Sequence, residues 1–283
     1  MGRVPDSTVA GAGPVPGTVH PMPSILLTND DGVDAPGLPS FAAALSEIGT
    51  VTVVVPDRER SWVSKAITRF DPVTVTTTTV GGIEMFTCSG YPADCVQLGV
   101  HALSHPVPDL VVSGINIGYN HGSAYLQSSG TAGAALEAGI AGVPAIAFST
   151  GSHVVPWREW KQMILTPEAA RVWERLALVA ASIVADALAT IQPGDVLNIG
   201  LPDDATADTP RRRTRVADSG YDRLFAEQAP GVYVHSYGGL VHNPSTIDGT
   251  DVGAAAEGII SVTAIRGAGD GKVNEELLAA LAG

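Results

Sequence analysis

Ser24-Ile25-Leu26-Leu27-Thr28-Asn29-Asp30-Asp31-Gly32 decides how this chain is read: an apolar run stops at an amide, two carboxylates and a glycine. Strand side chains alternate faces, so adjacent aspartates on a continuing strand point apart. For Asp30 and Asp31 to converge, the chain must leave strand geometry there, and Gly32 supplies the freedom for that turn. Two carboxylates then sit at the carboxyl end of a strand, where open α/β sheets bind ligands. With no Lys or Arg between them they repel unless a proton or a cation intervenes. Such oxygen donors suit a hard divalent metal. An Asn-Asp-Asp-Gly run is also an ordinary surface turn, so the reading rests on what surrounds it.

Outward from this strand, short β-branched runs alternate with helical stretches, the pattern of a parallel sheet covered by helices. Strands are predicted at 25–28, 51–55, 73–78, 110–113, 145–149 and 196–199, and helices at 38–48, 93–103, 131–141 and 168–190. Near-continuous apolar strands such as 51–55 fit burial on both faces. After about residue 203, turns rich in Pro, Asp and Arg surround short strands near Arg215, at 232–237 and at 259–265, and a last helix is expected from about Val273. Three parts follow: residues 1–23, rich in Gly, Pro and Val and expected to be disordered; a core at 24–202; and a β-rich extension at 203–283 that could pack on another subunit.

Three more polar segments fall where strands end. Pro56-Asp57-Arg58-Glu59-Arg60-Ser61 carries two arginines and a hydroxyl. Ser113-Gly114-Ile115-Asn116-Ile117-Gly118-Tyr119-Asn120 offers glycines for close backbone approach and two amide side chains. Ser128-Ser129-Gly130-Thr131 opens a helix, and hydroxyls at a helix N-terminus form an anion cradle. Each segment alone has a plainer use, as a helix cap, a loop or a solvated face. All of them ending strands of one sheet points instead to metal ligands, amide donors and a helix dipole on one rim, a set that suits a phosphoryl group.

Composition narrows the rest. The formal net charge of −13 argues against binding nucleic-acid duplexes and requires any phosphate site to be locally electropositive. No window holds the roughly 18 apolar residues of a membrane span. Cys88 and Cys95 are too few for a disulfide framework, so a reduced, cytoplasmic protein is expected. His101 and His105 have a zinc-like spacing without a third ligand and read as surface residues; Cys95 reads as core. Arg211, Arg212, Arg213 and Arg215 read as intersubunit salt bridges or a solvated strand. There is no nucleophile elbow and no P-loop.

The ordered series Thr-Asn-Asp-Asp-Gly (28–32), Pro-Asp-Arg-Glu-Arg-Ser (56–61), Pro-Asp-Leu-Val-Val-Ser-Gly-Ile-Asn-Ile-Gly-Tyr-Asn (108–120) and Ser-Gly-Thr-Ala-Gly-Ala-Ala-Leu-Glu (129–137) resembles the SurE family, metal-dependent phosphatases of 5′- and 3′-nucleotides. The resemblance runs from about residue 24 to 266 and implies a Rossmann-like three-layer α/β/α sandwich with a C-terminal β-rich extension used in homodimers or homotetramers. It implies metal ligands at Asp30, Asp31, Ser61 and Asn116, phosphate contacts at Asn120, Ser129, Gly130 and Thr131, and catalytic roles for Asp30 and Asp31. The cofactor would be a divalent ion, Mg²⁺ or Mn²⁺, and the substrate a nucleoside monophosphate. Trp62 departs from the pattern, standing where many relatives have a small residue, and it could narrow the pocket or give a base a stacking face. Two other readings are a phosphatase for a non-nucleotide ester or polyphosphate and a non-catalytic nucleotide-binding protein. Specificity would lie with Trp62, Tyr119, Tyr125 or the region of Tyr221 and Phe225.

Overall fold

The computed structural model describes residues 22–237, 239–242 and 244–267. The helix expected from Val273 and nearly all of the N-terminal segment lie outside these. The first half alternates strand and helix: β1 (Ser24–Thr28), α1 (Leu38–Ser46), β2 (Thr50–Pro56), β3 (Val75–Val80), β4 (Ile83–Cys88), α2 (Pro92–Leu98), β5 (Leu110–Ile117), α3 (Gly122–Ser128), α4 (Gly130–Ile140) and β6 (Ala145–Gly151). Next come α5 (Trp157–Ile164), α6 (Ala170–Leu188), β7 (Val196–Pro202), β8 (Arg211–Thr214), β9 (Ser219–Tyr221), β10 (Phe225–Ala229), β11 (Val232–His235), β12 (Leu240–His242), α7 (Asp251–Ala256) and β13 (Ile260–Ile265).

Nine strands form one sheet in the order β3-β4-β2-β1-β5-β6-β7-β13-β8. The six from β4 to β7 run parallel, whereas β3 and β13 each pair antiparallel with the neighbour on their inner side. Sequence order reverses at β1, with β2 on one side and β5 on the other. A crevice therefore opens beyond the carboxyl ends of β1 and β5, the position at which such sheets bind ligands.

All five residues of β1 are buried, as the central strand of a sheet covered on both faces requires. On one face α1 packs on α6, and Phe41, Phe148, Trp173 and Leu176 fill the layer. On the other face α2 packs on α4 around Cys95, Val96, Ala134 and Ala138. Both layers rest on the apolar strands, so the polar loops at the strand ends are carried by a closely packed platform.

Several elements differ from expectation. The strand expected at 73–78 lies at Val75–Val80 and turns at Gly81-Gly82 into β4, a strand absent from the sequence reading. The helix expected at 93–103 ends at Leu98 and continues as one wider turn over 99–103. α3, α5 and α7 had no expected counterpart; in α5 only Trp160 and Ile164 are buried, too little apolar pattern in eight residues to stand out. β8 and β13, from the later part of the chain, complete the main sheet. Among the arginines, Arg211 pairs with Asp186 at 2.5 Å and Arg212 with Glu257 at 2.8 Å, both within the chain.

Candidate active site

The turn after β1 is drawn tight by its own side chain. Asn29 Oδ1 accepts the Gly32 N–H at 3.1 Å and Asn29 Nδ2 donates to the Gly32 carbonyl at 3.0 Å. Gly32 has φ +86°, and a Cβ there would lie 2.5 Å from the Arg58 backbone, so the position excludes any larger residue. The loop after β2 is tied to the same turn, because Arg60 N donates to the Asp30 carbonyl at 2.7 Å. The two aspartates thus leave strand geometry and enter one cleft of about 1210 Å³.

Asp30 is buried and receives the Thr131 hydroxyl at 2.5 Å. Asp31 is more open and receives the Ile117 N–H at 3.0 Å. Burial pushes the Asp30 carboxyl up to about 6, although the Thr131 hydrogen bond opposes this. Burial, and then the charge of Asp30, push Asp31 upward as well, while the Ile117 N–H and, more weakly, Lys161 pull it down. Among the described residues no Lys or Arg forms a salt bridge with either carboxylate.

Asn116, at the end of β5, donates its Nδ2 to the Gly118 carbonyl at 2.6 Å, which leaves its Oδ1 free to accept or to ligate in the cleft. Asn120 is buried; its backbone is held by Ser149 and Asn198, and its Nδ2 has no partner. Ser129 caps α4 by accepting the Ala132 N–H at 3.0 Å. Gly130 opens that helix, and a Cβ there would come within 2.8 Å of Asp30 Cβ. The α4 N-terminus therefore abuts the aspartate directly, bringing its partial positive charge to the cleft. Ser61 stands at the exposed rim with its hydroxyl on Glu59 at 2.7 Å.

Six of the eight residues singled out from sequence line this cleft, namely Asp30, Asp31, Ser61, Asn116, Asn120 and Ser129, and Thr131 stands behind Asp30, which its hydroxyl meets. Gly130 contributes backbone behind Asp30. Two carboxylates, an amide oxygen and a hydroxyl are all hard oxygen donors, and the mutual repulsion of the carboxylates gives a cation something to neutralise. This donor set fits a divalent ion. A separate group, His153, Asp203 and Asp204, brings ligand atoms within 4.8 Å of one another, with Asp203 also accepting the Trp160 indole N–H at 2.8 Å.

The sequence reading missed the other walls of the cleft. Trp157, Arg158 and Lys161 line it from α5, and His121, His235, Tyr237 and His242 from scattered positions. These histidines have no spacing in common, and only the folded chain brings them together. His101 and His105 are exposed and lie away from the cleft, and Cys88 and Cys95 are buried free thiols.

A mostly parallel α/β sheet with an acidic cleft at its switch point is a Rossmann-like architecture. The model for Survival protein SurE matches residues 25–223, and the chain belongs to the SurE family. It is 39% identical over 246 residues to 5′-nucleotidase SurE of Geobacter sulfurreducens, covering 85% of this chain and 86% of the relative. It is 34% identical over 249 residues to 5′/3′-nucleotidase SurE of Yersinia pseudotuberculosis, covering 87% and 90%. The crystal structure of the SurE protein from Aquifex aeolicus superposes with a TM-score of 0.67 at 30% identity, covering 92% of this chain and 98% of that one.

Proposed function

We propose that this protein is a metal-dependent phosphomonoesterase that hydrolyses nucleoside 5′- and 3′-monophosphates to nucleoside and phosphate. The observation that carries this reading is the meeting of Asp30 and Asp31 with the α4 N-terminus and the unpartnered Asn120 amide in one cleft. The nucleotidase names of the relatives support it.

In this reading Asp30, Asp31, Asn116 and Ser61 hold the cation. When bound, a Mg²⁺ or Mn²⁺ ion supplies charge neutralisation for phosphoryl oxygens and lowers the pKa of water. Asn120 Nδ2, the Ser129 hydroxyl and the backbone N–H groups of Gly130 and Thr131 donate to the phosphoryl oxygens as negative charge develops. Asp31, the more open carboxylate, orients the attacking water and takes its proton. Asp30 is fixed by Thr131 and keeps the turn in place. The water oxygen bonds to phosphorus as the ester P–O bond breaks on the opposite side, and the leaving nucleoside oxygen takes its proton from solvent.

Homodimers or homotetramers would form through the extension. The β10–β11 hairpin supports this, since it exposes Phe225, Val232 and Tyr233 to an extent unusual for a solvated ribbon. A cytoplasmic location agrees with the two free thiols, and no helix among the described residues is long and apolar enough to cross a membrane.

The test is phosphate release from nucleoside 5′- and 3′-monophosphates, ribose 5-phosphate and short polyphosphate, after chelation and again with Mg²⁺ or Mn²⁺ restored. Release should depend on the metal, be fastest on nucleotides and fall by about a thousandfold or more in Asp31→Asn. Release that survives chelation, or an unimpaired Asp31→Asn, would defeat the mechanism.

A further inference from the structure

Trp62 has φ +62°, a left-handed conformation that a bulky residue rarely adopts. Its loop is held from both ends. Arg60 N bonds the Asp30 carbonyl at 2.7 Å and Ser64 N bonds the Ser128 carbonyl at 3.0 Å. Lys65 reaches across to the buried Glu137 at 2.5 Å. The backbone is therefore fixed by contacts that do not involve the indole, and the ring is delivered to a set place beside Ser61.

That place is an aromatic enclosure. The indole centroid lies 5.1 Å from His235, 5.4 Å from Tyr221, 5.7 Å from Tyr237 and 6.2 Å from Tyr125. The interplanar angles run from 46° to 86°, so no ring lies flat on the indole, which remains 41% exposed. Trp62, Tyr125, His235 and Tyr237 line the same cleft as Asp30 and Asp31.

An independent observation points to a polar ligand there. Tyr237 Oη, His121 Nδ1 and His242 Nδ1 are buried without a hydrogen-bond partner, and all three residues line this cleft. Buried polar atoms in native proteins are ordinarily satisfied by protein, water or ligand, so three such atoms around one cavity mark bonding positions for a ligand that displaces water there. Flat apolar faces combined with unpaired donors and acceptors at the edge match a nucleobase, and neither a sugar nor a polyphosphate uses such a surface as fully.

We infer that Trp62 is a specificity-determining residue, whose indole face stacks on the base of a nucleoside monophosphate while Tyr237 and the two histidines meet the edge of the base or the ribose. This rests on the nucleotidase reading and deepens it. It also assigns the extension, which supplies His235, Tyr237 and His242, a part in substrate choice.

The experiment compares adenosine 5′-monophosphate with ribose 5-phosphate in the full-length wild type, Trp62→Gly and Trp62→Phe, with Mg²⁺ or Mn²⁺ present. Glycine accepts the left-handed backbone without strain, which offsets part of the ring packing lost with the indole, so Trp62→Gly should melt somewhat below the wild type but stay folded, checked by its melting curve. Trp62→Gly should lower the preference for the nucleotide in kcat/KM by about 5- to 100-fold, mostly through KM, as expected for one base–aromatic stack. Trp62→Phe should keep most of that preference. An unchanged preference, or equal losses on both esters, would overturn the inference and leave Trp62 as a support for Ser61. If the wild type hydrolyses neither ester, the nucleotidase reading fails separately, and calorimetric binding of the same two compounds decides. Tighter nucleotide binding that is lost in Trp62→Gly upholds the base slot, and equal binding of both compounds sinks it.

Discussion

The floor of the cleft and its aromatic wall are built differently. The floor is made by loops at the carboxyl ends of β1, β2 and β5 together with the α4 N-terminus, and backbone bonds hold each part: Arg60 N on the Asp30 carbonyl, Ile117 N on Asp31, Ala132 N on Ser129. The wall joins two core residues, Trp62 and Tyr125, to Tyr221, His235 and Tyr237 of the extension, largely through ring edges. The Tyr221 hydroxyl is bonded to the Ala124 carbonyl and to Ser128, and Ser219 beside it bonds Ser123 and Ala124, which ties this part of the extension to α3. Transfer of a phosphoryl group depends on atoms held to within an ångström. Recognition of a base tolerates more, because every base has a face to stack on.

If the floor depends on this precision, a single methyl group set against Asp30 should disable it. Gly130→Ala places a Cβ within 2.9 Å of Asp30 Oδ2, and the carboxylate has to move. A displacement of that size should lower kcat by about a hundredfold on every phosphate ester alike, with little change in the nucleotide preference. Steady-state kinetics on adenosine 5′-monophosphate and ribose 5-phosphate would check it. A variant with normal kcat would mean that the floor is softer than its hydrogen bonds suggest.

The contrast also explains what was legible in the sequence. Asp30, Asp31, Asn116 and Ser129 could be found because each lies at a strand end or helix start, where local chemistry is written in consecutive residues. Gly32 announced its turn for the same reason. β4 escapes a sequence reading because Ile83-Glu84-Met85-Phe86-Thr87-Cys88 breaks the alternation, with Met85, Thr87 and Cys88 buried and Ile83 and Phe86 only partly so. α5 is short and mostly polar on the outside, so Lys161 and Trp157 were not connected to the cleft although both line it. His121, His235 and His242 belong to distant segments and share a cavity only through tertiary folding. Local signals revealed the floor, and long-range packing concealed most of the wall.

His121 offers a way to weigh the wall thermodynamically. Its ring stacks on Tyr119 at 4.9 Å and 14°, and burial, followed by the charge of His242, pushes its imidazole down to about 4. A histidine whose folded pKa is depressed binds fewer protons in the native state than in the unfolded chain, where its value is near 6.5. Stability is therefore complete above about pH 6.5 and is lost as the pH falls toward 4, by about 2–3 kcal/mol. His121→Phe keeps the ring and removes the titration. Urea unfolding at pH 7 and pH 4.5 should show a smaller acid loss in the variant by roughly that amount. Equal losses in both proteins would mean that the wall opens readily and hydrates the imidazole.

Tyr237 carries the smallest and most specific expectation. Burial pushes its phenol up to about 12, so Oη keeps its proton near neutral pH and remains a donor, yet it has no partner. An unsatisfied buried hydroxyl costs stability, so Tyr237→Phe should melt at or slightly above the wild type, by an amount on the order of 1 kcal/mol. If Oη meets the base or the ribose, the same change removes one hydrogen bond and should raise the nucleotide KM by about threefold, with kcat held. A higher melting temperature with an unaltered KM would identify Tyr237 as ring packing for Trp62 only. Base recognition would then fall to the indole face and the histidines, and the wall would contribute stacking without a polar edge from this residue.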